Sequence, residues 1–225
     1  MKRKIQLLAI AVAAIVLVAS IATLTQIVGR GNTAKRIRVA CIGDSITRGS
    51  GYPAKLQLLL GSNYDVGNFG VDGSTVSLKS SIPYMNQPAY QNALDFDPDI
   101  VVIMLGTNDA KPSVMTYNGT FEDDYTTLVS SFQRLDSKPQ VYIAESPPVQ
   151  NSSKTVSASD FSQTVLPDIQ DVAQNLSLPI IDVYDAFQNH SDFFMDGVHP
   201  DSDGATLIAC DVAIAITPDG QPAQP

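Results

Sequence analysis

The sequence is poor in the residues that build disulfide scaffolds and metal sites: its 225 residues include two cysteines, two histidines and no tryptophan. Two cysteines, Cys41 and Cys210, are too few for a disulfide scaffold or a four-cysteine zinc site. Two histidines likewise exclude a histidine-rich metal centre. The sequence therefore implies no metal and no cofactor.

Positive charge is also scarce, because 14 Lys and Arg face 23 Asp and Glu and the net charge is −9 at pH 7. Nucleic acids and anionic lipid surfaces are bound through clustered basic side chains, so this balance argues against either partner. Charged residues make up 16% of the chain and hydrophobic residues 44%. This composition is typical of a folded globular domain rather than a disordered one.

The amino terminus has the pattern of a targeting segment. Basic residues at positions 2–4 precede an uncharged, strongly apolar stretch from Ile5 to Gly29, as in chains that enter a translocon. Two outcomes stay open: a signal peptidase cleaves at the small-x-small step at 20–22, or the stretch remains as an anchor, because about 20 residues can span a bilayer. Both place the rest of the chain outside the cytoplasm, either secreted or anchored to the cell membrane.

The chain divides into four parts on this basis. Residues 1–28 are predicted to be a signal peptide or membrane anchor, residues 29–35 a linker, residues 36–217 the globular domain and residues 218–225 a flexible tail. The globular part is long enough for one domain with its own core. We expect it to be a monomer that meets the membrane only through the amino-terminal segment.

Short apolar runs alternate with helix-like segments from residue 36 onward. Such alternation predicts an α/β domain, a three-layer α/β/α sandwich with a five-stranded, mostly parallel sheet. The run at 100–105 is continuously apolar and β-branched, as expected for a central strand covered on both faces. Pro167 predicts a kink or restart in one helix. Strands are predicted at 36–42, 64–69, 100–105, 141–144 and 180–183, and helices at 52–60, 121–135, 161–176 and 205–216.

Three polar, glycine-containing loops follow the first three predicted strands, at 43–45, 68–73 and 106–109. In a parallel α/β sheet the carboxyl ends of the strands form the crevice where ligands bind. We therefore expect the three loops to meet at one edge of the sheet and to form the functional site.

Four blocks of sequence resemble those of the SGNH (GDSL) hydrolase family. They occur in the family's order and span nearly all of the globular part, with Ile46 in place of the family's leucine as the one visible departure. The resemblance implies a flavodoxin-like SGNH hydrolase fold and a serine-dependent ester hydrolase (EC 3.1.1). The blocks are Gly-Asp-Ser-Ile-Thr at 43–47, Asn-Phe-Gly-Val-Asp-Gly at 68–73, Gly-Thr-Asn-Asp at 106–109 and Asp-Gly-Val-His-Pro at 196–200.

The resemblance implies a catalytic triad of Ser45, Asp196 and His199. A serine hydroxyl is a poor nucleophile until a neighbouring base accepts its proton, and the carboxylate would orient the imidazole and stabilise its protonated form. A G-x-S-x-G nucleophile elbow, the alternative serine motif, does not fit, because Thr47 stands where that motif has its second glycine.

The resemblance also implies an oxyanion hole. Its donors would be the backbone N–H groups of Ser45 and Gly73 and the side-chain amide of Asn108. Gly73 follows the block's first Asn by five residues, as in the family, and Gly70 is the alternative. Asp44 and Asp109, beside these positions, are interpreted as acceptors that fix the loops.

The expected activity is that of a serine esterase acting through an acyl-enzyme, with short-chain O-acetyl groups on extracellular carbohydrate as the preferred substrate. The alternatives are a lysophospholipase or thioesterase of the same fold and a non-catalytic envelope-binding domain. Partners are then small esters or acetylated carbohydrates. Side chains that could stack on or hydrogen-bond a sugar occur in the loops at 77–95 and 146–160; they are Tyr84, Asn86, Gln87, Tyr90, Gln150 and Asn151.

Overall fold

A computed structural model describes residues 35–151 and 153–217 of the chain. The predicted targeting segment at 1–28, the linker up to residue 34 and the tail at 218–225 lie outside the described residues. Among the residues that are described, no helix is long and apolar enough to cross a membrane. Secretion and membrane anchoring therefore stay predictions.

A five-stranded sheet organises the domain, with the strands in the order β2-β1-β3-β4-β5. Every neighbouring pair is parallel, and this order is the flavodoxin-like one. The predicted α/β class and parallel sheet are confirmed. The strands are β1 (Ile37–Gly43), β2 (Tyr64–Gly70), β3 (Ile100–Met104), β4 (Gln140–Ala144) and β5 (Ile180–Ile181).

Helices cover both faces of the sheet and complete the predicted three layers. Successive residues of a strand point to opposite faces, so β1 sends Ala40 and Ile42 into one apolar core and Val39 and Cys41 into the other. Helices α2 and α9 cover the second core, and α3, α5 and α7 cover the first. The helices are α1 (Ser45–Gly49), α2 (Tyr52–Leu60), α3 (Pro88–Asp95), α4 (Pro112–Met115), α5 (Phe121–Gln133), α6 (Ala158–Asp160), α7 (Leu166–Asn175), α8 (Val183–Ala186) and α9 (Ser202–Ile216).

Strand β3 lies at the centre of the sheet, between β1 and β4. All five of its residues are buried, which confirms the prediction drawn from its continuously apolar sequence. Both faces of β3 are packed against apolar side chains, so the strand itself has no room for polar residues. The polar residues that follow β3 lie beyond its carboxyl end. That end therefore becomes the place where polar groups collect.

Two predicted elements differ in detail from the structure. The fifth strand was predicted at 180–183 but ends at Ile181, because the side chain of Asp182 accepts the backbone N–H of Asp185 at 2.9 Å and begins α8. The helix predicted at 161–176 is a π-helical turn over Phe161–Val165 followed by α7. Pro167 lies in the first turn of α7, where a missing N–H costs little, so the helix restarts there.

Both cysteines are free thiols in the structure. Cys41 is buried within β1 and Cys210 is half-buried within α9. Cys41 packs in the second apolar core, and no disulfide joins the two cysteines.

The amino terminus of α9 supplies a test of local stability. The Asp201 carboxylate caps this helix by accepting the N–H groups of Asp203 at 2.8 Å and Gly204 at 3.0 Å. We expect Asp201→Ala to lower the free energy of unfolding by about 1 kcal/mol, and Asp201→Asn, which still caps, to lower it by much less. Urea unfolding followed by circular dichroism measures both; equal losses in the two variants would contradict the capping role.

Candidate active site

Ser45 begins α1 directly after the end of β1. The side chain of Asp44 accepts the N–H of Ile46 at 2.9 Å and so caps this short helix. Gly43 leaves room for the tight turn, because a Cβ at that position would collide with the side chain of Thr47 and approach the carbonyl oxygen of Met104. The turn thus places the Ser45 side chain at the carboxyl edge of the sheet.

The structure brings Ser45, His199 and Asp196 together. The Ser45 Oγ lies 2.8 Å from His199 Nε2, and His199 Nδ1 lies 2.8 Å from Asp196 Oδ2. In a neutral imidazole that donates from Nδ1 to the carboxylate, Nε2 is free to accept the serine proton. The three side chains can therefore pass a proton from the hydroxyl to the ring.

Asp196 and His199 belong to one short turn before α9, and backbone hydrogen bonds fix its shape. The second carboxylate oxygen of Asp196 accepts the N–H groups of Val198 at 3.0 Å and His199 at 2.9 Å. Gly197 adopts a φ of 84°, a conformation that glycine reaches without strain. Residues 194 and 200 close the turn with an antiparallel bridge.

The same hydrogen bonds keep Asp196 ionised. Partial burial alone would raise the pKa of its carboxyl group, but the N–H groups of His199 and Val198 and the His199 ring outweigh that effect and hold the pKa below its usual value. A carboxylate that stays charged stabilises a protonated imidazole beside it.

Asn108 and Gly73 reach the same place from the ends of β3 and β2. Asn108 lies in a 3₁₀ turn after β3, and its Nδ2 donates to Asp44 Oδ2 and to the carbonyl oxygen of Ser74, both at 3.1 Å. Gly73 has a φ of 72° and lines the same cavity as Ser45 and His199. Each is close to Ser45 although the loops are far apart in sequence.

Gly70 lies against the backbone of α1 and not in the lining of the cavity. A Cβ on Gly70 would collide with the backbone of Arg48, and the Gly70 N–H donates to Asn68 Oδ1 at 3.0 Å. Gly70 thus lets β2 pack against α1 and does not line the cavity. Of the two glycines considered from the sequence, Gly73 is the one positioned beside Ser45.

Two buried aspartates hold these loops. Asp44 and Asp109 are only 1% and 2% exposed, and Asp109 accepts the N–H groups of Val76 and Ser77, both at 2.9 Å. Burial raises the pKa of Asp44 to about 6 and that of Asp109 to about 7, against the effect of these hydrogen bonds. Both act as the loop-fixing acceptors that the sequence suggested.

A cavity of about 500 Å³ opens beside Ser45. Its walls combine apolar side chains with Lys111, a residue that sequence reasoning missed although it follows Asn108 by only three positions. Asp72 lines the rim and pairs with Arg48. The lining consists of Ser45, Ile46, Gly49, Ser50, Asp72, Gly73, Asn108, Lys111, Thr155, Val156, Met195, Val198, His199 and Pro200.

Other residues considered from the sequence lie elsewhere. Tyr84 is fully buried and donates to the carbonyl oxygen of Phe69, and Tyr90 packs edge-on against Tyr84 and Phe132. The Tyr84 ring is enclosed and cannot stack on a sugar, so that expectation is wrong for Tyr84; Tyr90 is half-buried and does not line the cavity beside Ser45. His190 stacks on Phe193, away from the cavity lining. Within 35–151 and 153–217, no cluster of His, Cys, Asp and Glu side chains is arranged to hold a metal ion.

Solved esterase structures share this fold. An acetyl xylan esterase, AlAXEase, aligns with a TM-score of 0.66 at 21% sequence identity, over 80% of this chain and 100% of its own. The native aryl esterase of M. smegmatis aligns with a TM-score of 0.66 at 17% identity, over 80% of this chain and 98% of its own. At these identities the likeness concerns the fold alone.

Sequence comparison adds a nearer relative. The acetylxylan esterase of Xylanibacter ruminicola is 35% identical over 206 residues, which cover 80% of this chain and 43% of the relative. The chain thus spans less than half of that protein's length. Separately, the sequence profile of the GDSL-like lipase/acylhydrolase family matches residues 41–207.

The profile match covers well over half of the chain, so it shows the family to which the chain belongs. The chain belongs to the GDSL-like lipase/acylhydrolase family. The resemblance drawn from the four sequence blocks is thereby confirmed.

The buried carboxyl of Asp109 predicts a pH-dependent contribution to stability. Its pKa of about 7 in the folded protein exceeds its ordinary value of 3.8, so folding favours the protonated form. This contribution is fully present below the unfolded pKa and is lost as the pH rises through about 7. The stability of the wild type relative to Asp109→Asn should therefore decrease from about pH 5 to about pH 8.

Urea unfolding at the two pH values measures this difference, with the exposed Asp123→Asn on α5 as the matched control. The Asp123 variant should follow the wild type at both pH values. A constant difference between wild type and Asp109→Asn would mean that Asp109 is ionised throughout, contrary to the expectation.

Proposed function

We propose that this protein is a serine esterase that removes short acyl groups, above all O-acetyl groups, from extracellular carbohydrate. The observation that carries the proposal is the pair of hydrogen bonds that links Ser45 to His199 and His199 to Asp196. Ser45 Oγ lies 2.8 Å from His199 Nε2, and His199 Nδ1 lies 2.8 Å from Asp196 Oδ2. A hydroxyl with an adjacent, oriented base is the arrangement that covalent ester hydrolysis requires.

The first half-reaction forms an acyl-enzyme. Ser45 Oγ attacks the carbonyl carbon of the ester while His199 Nε2 takes the hydroxyl proton. The tetrahedral intermediate then collapses, the bond between the carbonyl carbon and the alcohol oxygen breaks, and His199 gives the proton to that oxygen. Asp196 stays ionised throughout and stabilises the imidazolium.

The second half-reaction restores the enzyme. His199 takes a proton from a water molecule, whose oxygen attacks the acyl carbon. The bond from that carbon to Ser45 Oγ breaks, the serine oxygen recovers the proton from His199, and the carboxylic acid leaves. The His199 side chain is 37% exposed, which supports access of water to the acyl-enzyme.

The negative oxygen of each tetrahedral intermediate would be bound by three donors: the N–H groups of Ser45 and Gly73 and the amide of Asn108. Asn108 Nδ2 now donates to Asp44 Oδ2 and to the Ser74 carbonyl oxygen, and the oxyanion would replace the Ser74 oxygen as the acceptor of one amide proton. Preorganised donors of this kind contribute a large share of the rate in acyl transfer.

Carbohydrate as the leaving group is supported by a second cavity next to the first. It has a volume of about 590 Å³ and shares Thr155, Met195 and Val198 with the cavity beside Ser45. The Gln150 amide and the Lys154 ammonium line it, and both are suited to hydrogen bonds with hydroxyl groups. The acetylxylan esterase relative supports the same class of substrate.

An extracellular setting is supported by the basic and apolar pattern of residues 1–28, whether that segment is cleaved or retained. An enzyme outside the cytoplasm would encounter carbohydrates that are too large to enter a cell. We further propose that the esterase acts as a monomer.

A second candidate acts on longer acyl groups, as a lysophospholipase or thioesterase of the same fold. It is favoured by the size of the cavity beside Ser45, about 500 Å³, and by the apolar side chains of Ile46, Val156 and Val198 in its walls. An acetyl group would fill only a small part of this space.

The role of Ser45 is tested by Ser45→Ala. We expect this variant to lose hydrolysis of p-nitrophenyl acetate and covalent labelling by a fluorophosphonate probe, because both need the activated hydroxyl, while its circular dichroism spectrum stays unchanged. Ser131→Ala, a half-buried serine on α5 outside the cavity lining, serves as the matched control and should keep both. A wild-type protein that the probe does not label would favour a non-catalytic binding domain instead.

The acyl preference is tested with p-nitrophenyl esters from acetate to octanoate, followed by acetylated xylan. We expect kcat/KM to be highest for acetate and acetate to be released from the polysaccharide. A rate that rises steadily with chain length would favour the second candidate.

A further inference from the structure

Lys111 lines the cavity beside Ser45 and carries a positive charge, but the mechanism above gives it no role. It lines the cavity together with Ser45, Asn108 and His199. Its Nζ comes within 3.9 Å of the position that a Cβ on Gly73 would occupy. The ammonium group therefore lies on the side of the cavity where the proposed oxyanion donors are.

The backbone of Lys111 is held firmly. Its N–H donates to the Asn108 carbonyl oxygen at 3.2 Å, and its own carbonyl oxygen accepts the N–H groups of Val114 at 2.8 Å and Met115 at 3.0 Å. Pro112 follows, which restricts Lys111 to the extended conformation it adopts. The side chain thus starts from a fixed point close to Asn108.

Within the part of the chain that the structure describes, no ion pair neutralises the ammonium of Lys111. Asp72, which lines the same cavity, pairs with Arg48 instead. A cation left unpaired in an enzyme cavity is available to a negative charge on the bound substrate.

The buried carboxylate of Asp44 makes such a cation useful. Asp44 Oδ2 accepts a hydrogen bond from Asn108 Nδ2 at 3.1 Å. An oxyanion bound to the same amide nitrogen would therefore lie close to the negative charge of the Asp44 carboxylate. Like charges at this separation repel strongly where water is excluded. Burial raises the pKa of Asp44, and the positive charge of Lys111 is among the interactions that oppose the rise, so Lys111 lies within electrostatic range of Asp44.

We propose that Lys111 is a further catalytic residue whose ammonium approaches the oxyanion beside Gly73 and offsets the negative charge of Asp44. The inference rests on the proposed function. No bond forms or breaks at Nζ; the group contributes positive charge where negative charge appears in both tetrahedral intermediates. Because the ester carbonyl of the ground state is neutral, the contribution belongs to kcat rather than to KM.

The test compares Lys111→Met with Lys111→Arg on p-nitrophenyl acetate, an ester without any charged group. We expect kcat to fall about tenfold or more in Lys111→Met, less than the 10²–10³ of a fully enclosed oxyanion donor because the cavity is open, with KM little changed. Lys111→Arg should keep most of the activity, and fluorophosphonate labelling should slow in parallel with kcat. Lys79→Met, an exposed lysine outside the cavity lining, is the matched control.

Three outcomes would overturn the inference. One is an unchanged kcat for Lys111→Met on the neutral ester. Another is a loss confined to esters that carry a carboxylate and expressed in KM, which would assign Lys111 to substrate recognition. The third is an equal loss in the Arg and Met variants, which would make shape rather than charge the cause. If Ser45 proves dispensable, the proposed function fails first; if only Lys111 does, the function stands.

Discussion

The buried carboxylate of Asp44 joins the two strand ends on which the site is built. Its oxygens accept the Ile46 N–H, which begins α1 at Ser45, and the amide of Asn108 beyond β3. A carboxylate can do both because each of its oxygens accepts hydrogen bonds. One side chain therefore orients both the serine and the amide opposite it, at the cost of a charged group taken out of water.

Asp109, the residue after Asn108, likewise uses its carboxyl group to join two loops. By accepting the N–H groups of Val76 and Ser77, it ties the turn that holds Asn108 to the segment that continues from Gly73. The backbone of the loops that carry Gly73 and Asn108 is thus fixed, although the Asn108 amide itself still donates to the Ser74 carbonyl oxygen. Donors that need no rearrangement during the reaction are the effective ones, and here the rigidity comes from carboxylates paired with backbone N–H groups rather than from added length of helix or strand.

The alternation of apolar runs and polar, glycine-containing loops was sufficient to predict the layers and the sheet, and the resemblance of the four blocks to the SGNH family was sufficient to predict which residues lie beside Ser45. The sequence was insufficient where tertiary packing decides. Tyr84 and Tyr90 lie near Asn86 and Gln87 and look available for a sugar, yet the Tyr84 ring is buried in the core and Tyr90 packs against it. The approach of Lys111 to Gly73 likewise depends on how two loops from different strands pack, which no local pattern encodes. The short β5 reflects a capping preference of Asp182 that outweighed strand propensity.

The turn between residues 194 and 201 carries both Asp196 and His199, closed by its own bridge and continued by a capped helix. The two side chains that link to Ser45 therefore lie on one turn, which lines both cavities together with Thr155 and is joined to Gln150 by a hydrogen bond from the Gln150 N–H to the Gly197 carbonyl oxygen, at 2.8 Å. Substitutions at Thr155 and Val156 that spare this hydrogen bond would change the walls of the cavity beside Ser45 while leaving the turn in place. A single deletion inside the turn, by contrast, would remove both partners of the serine at once.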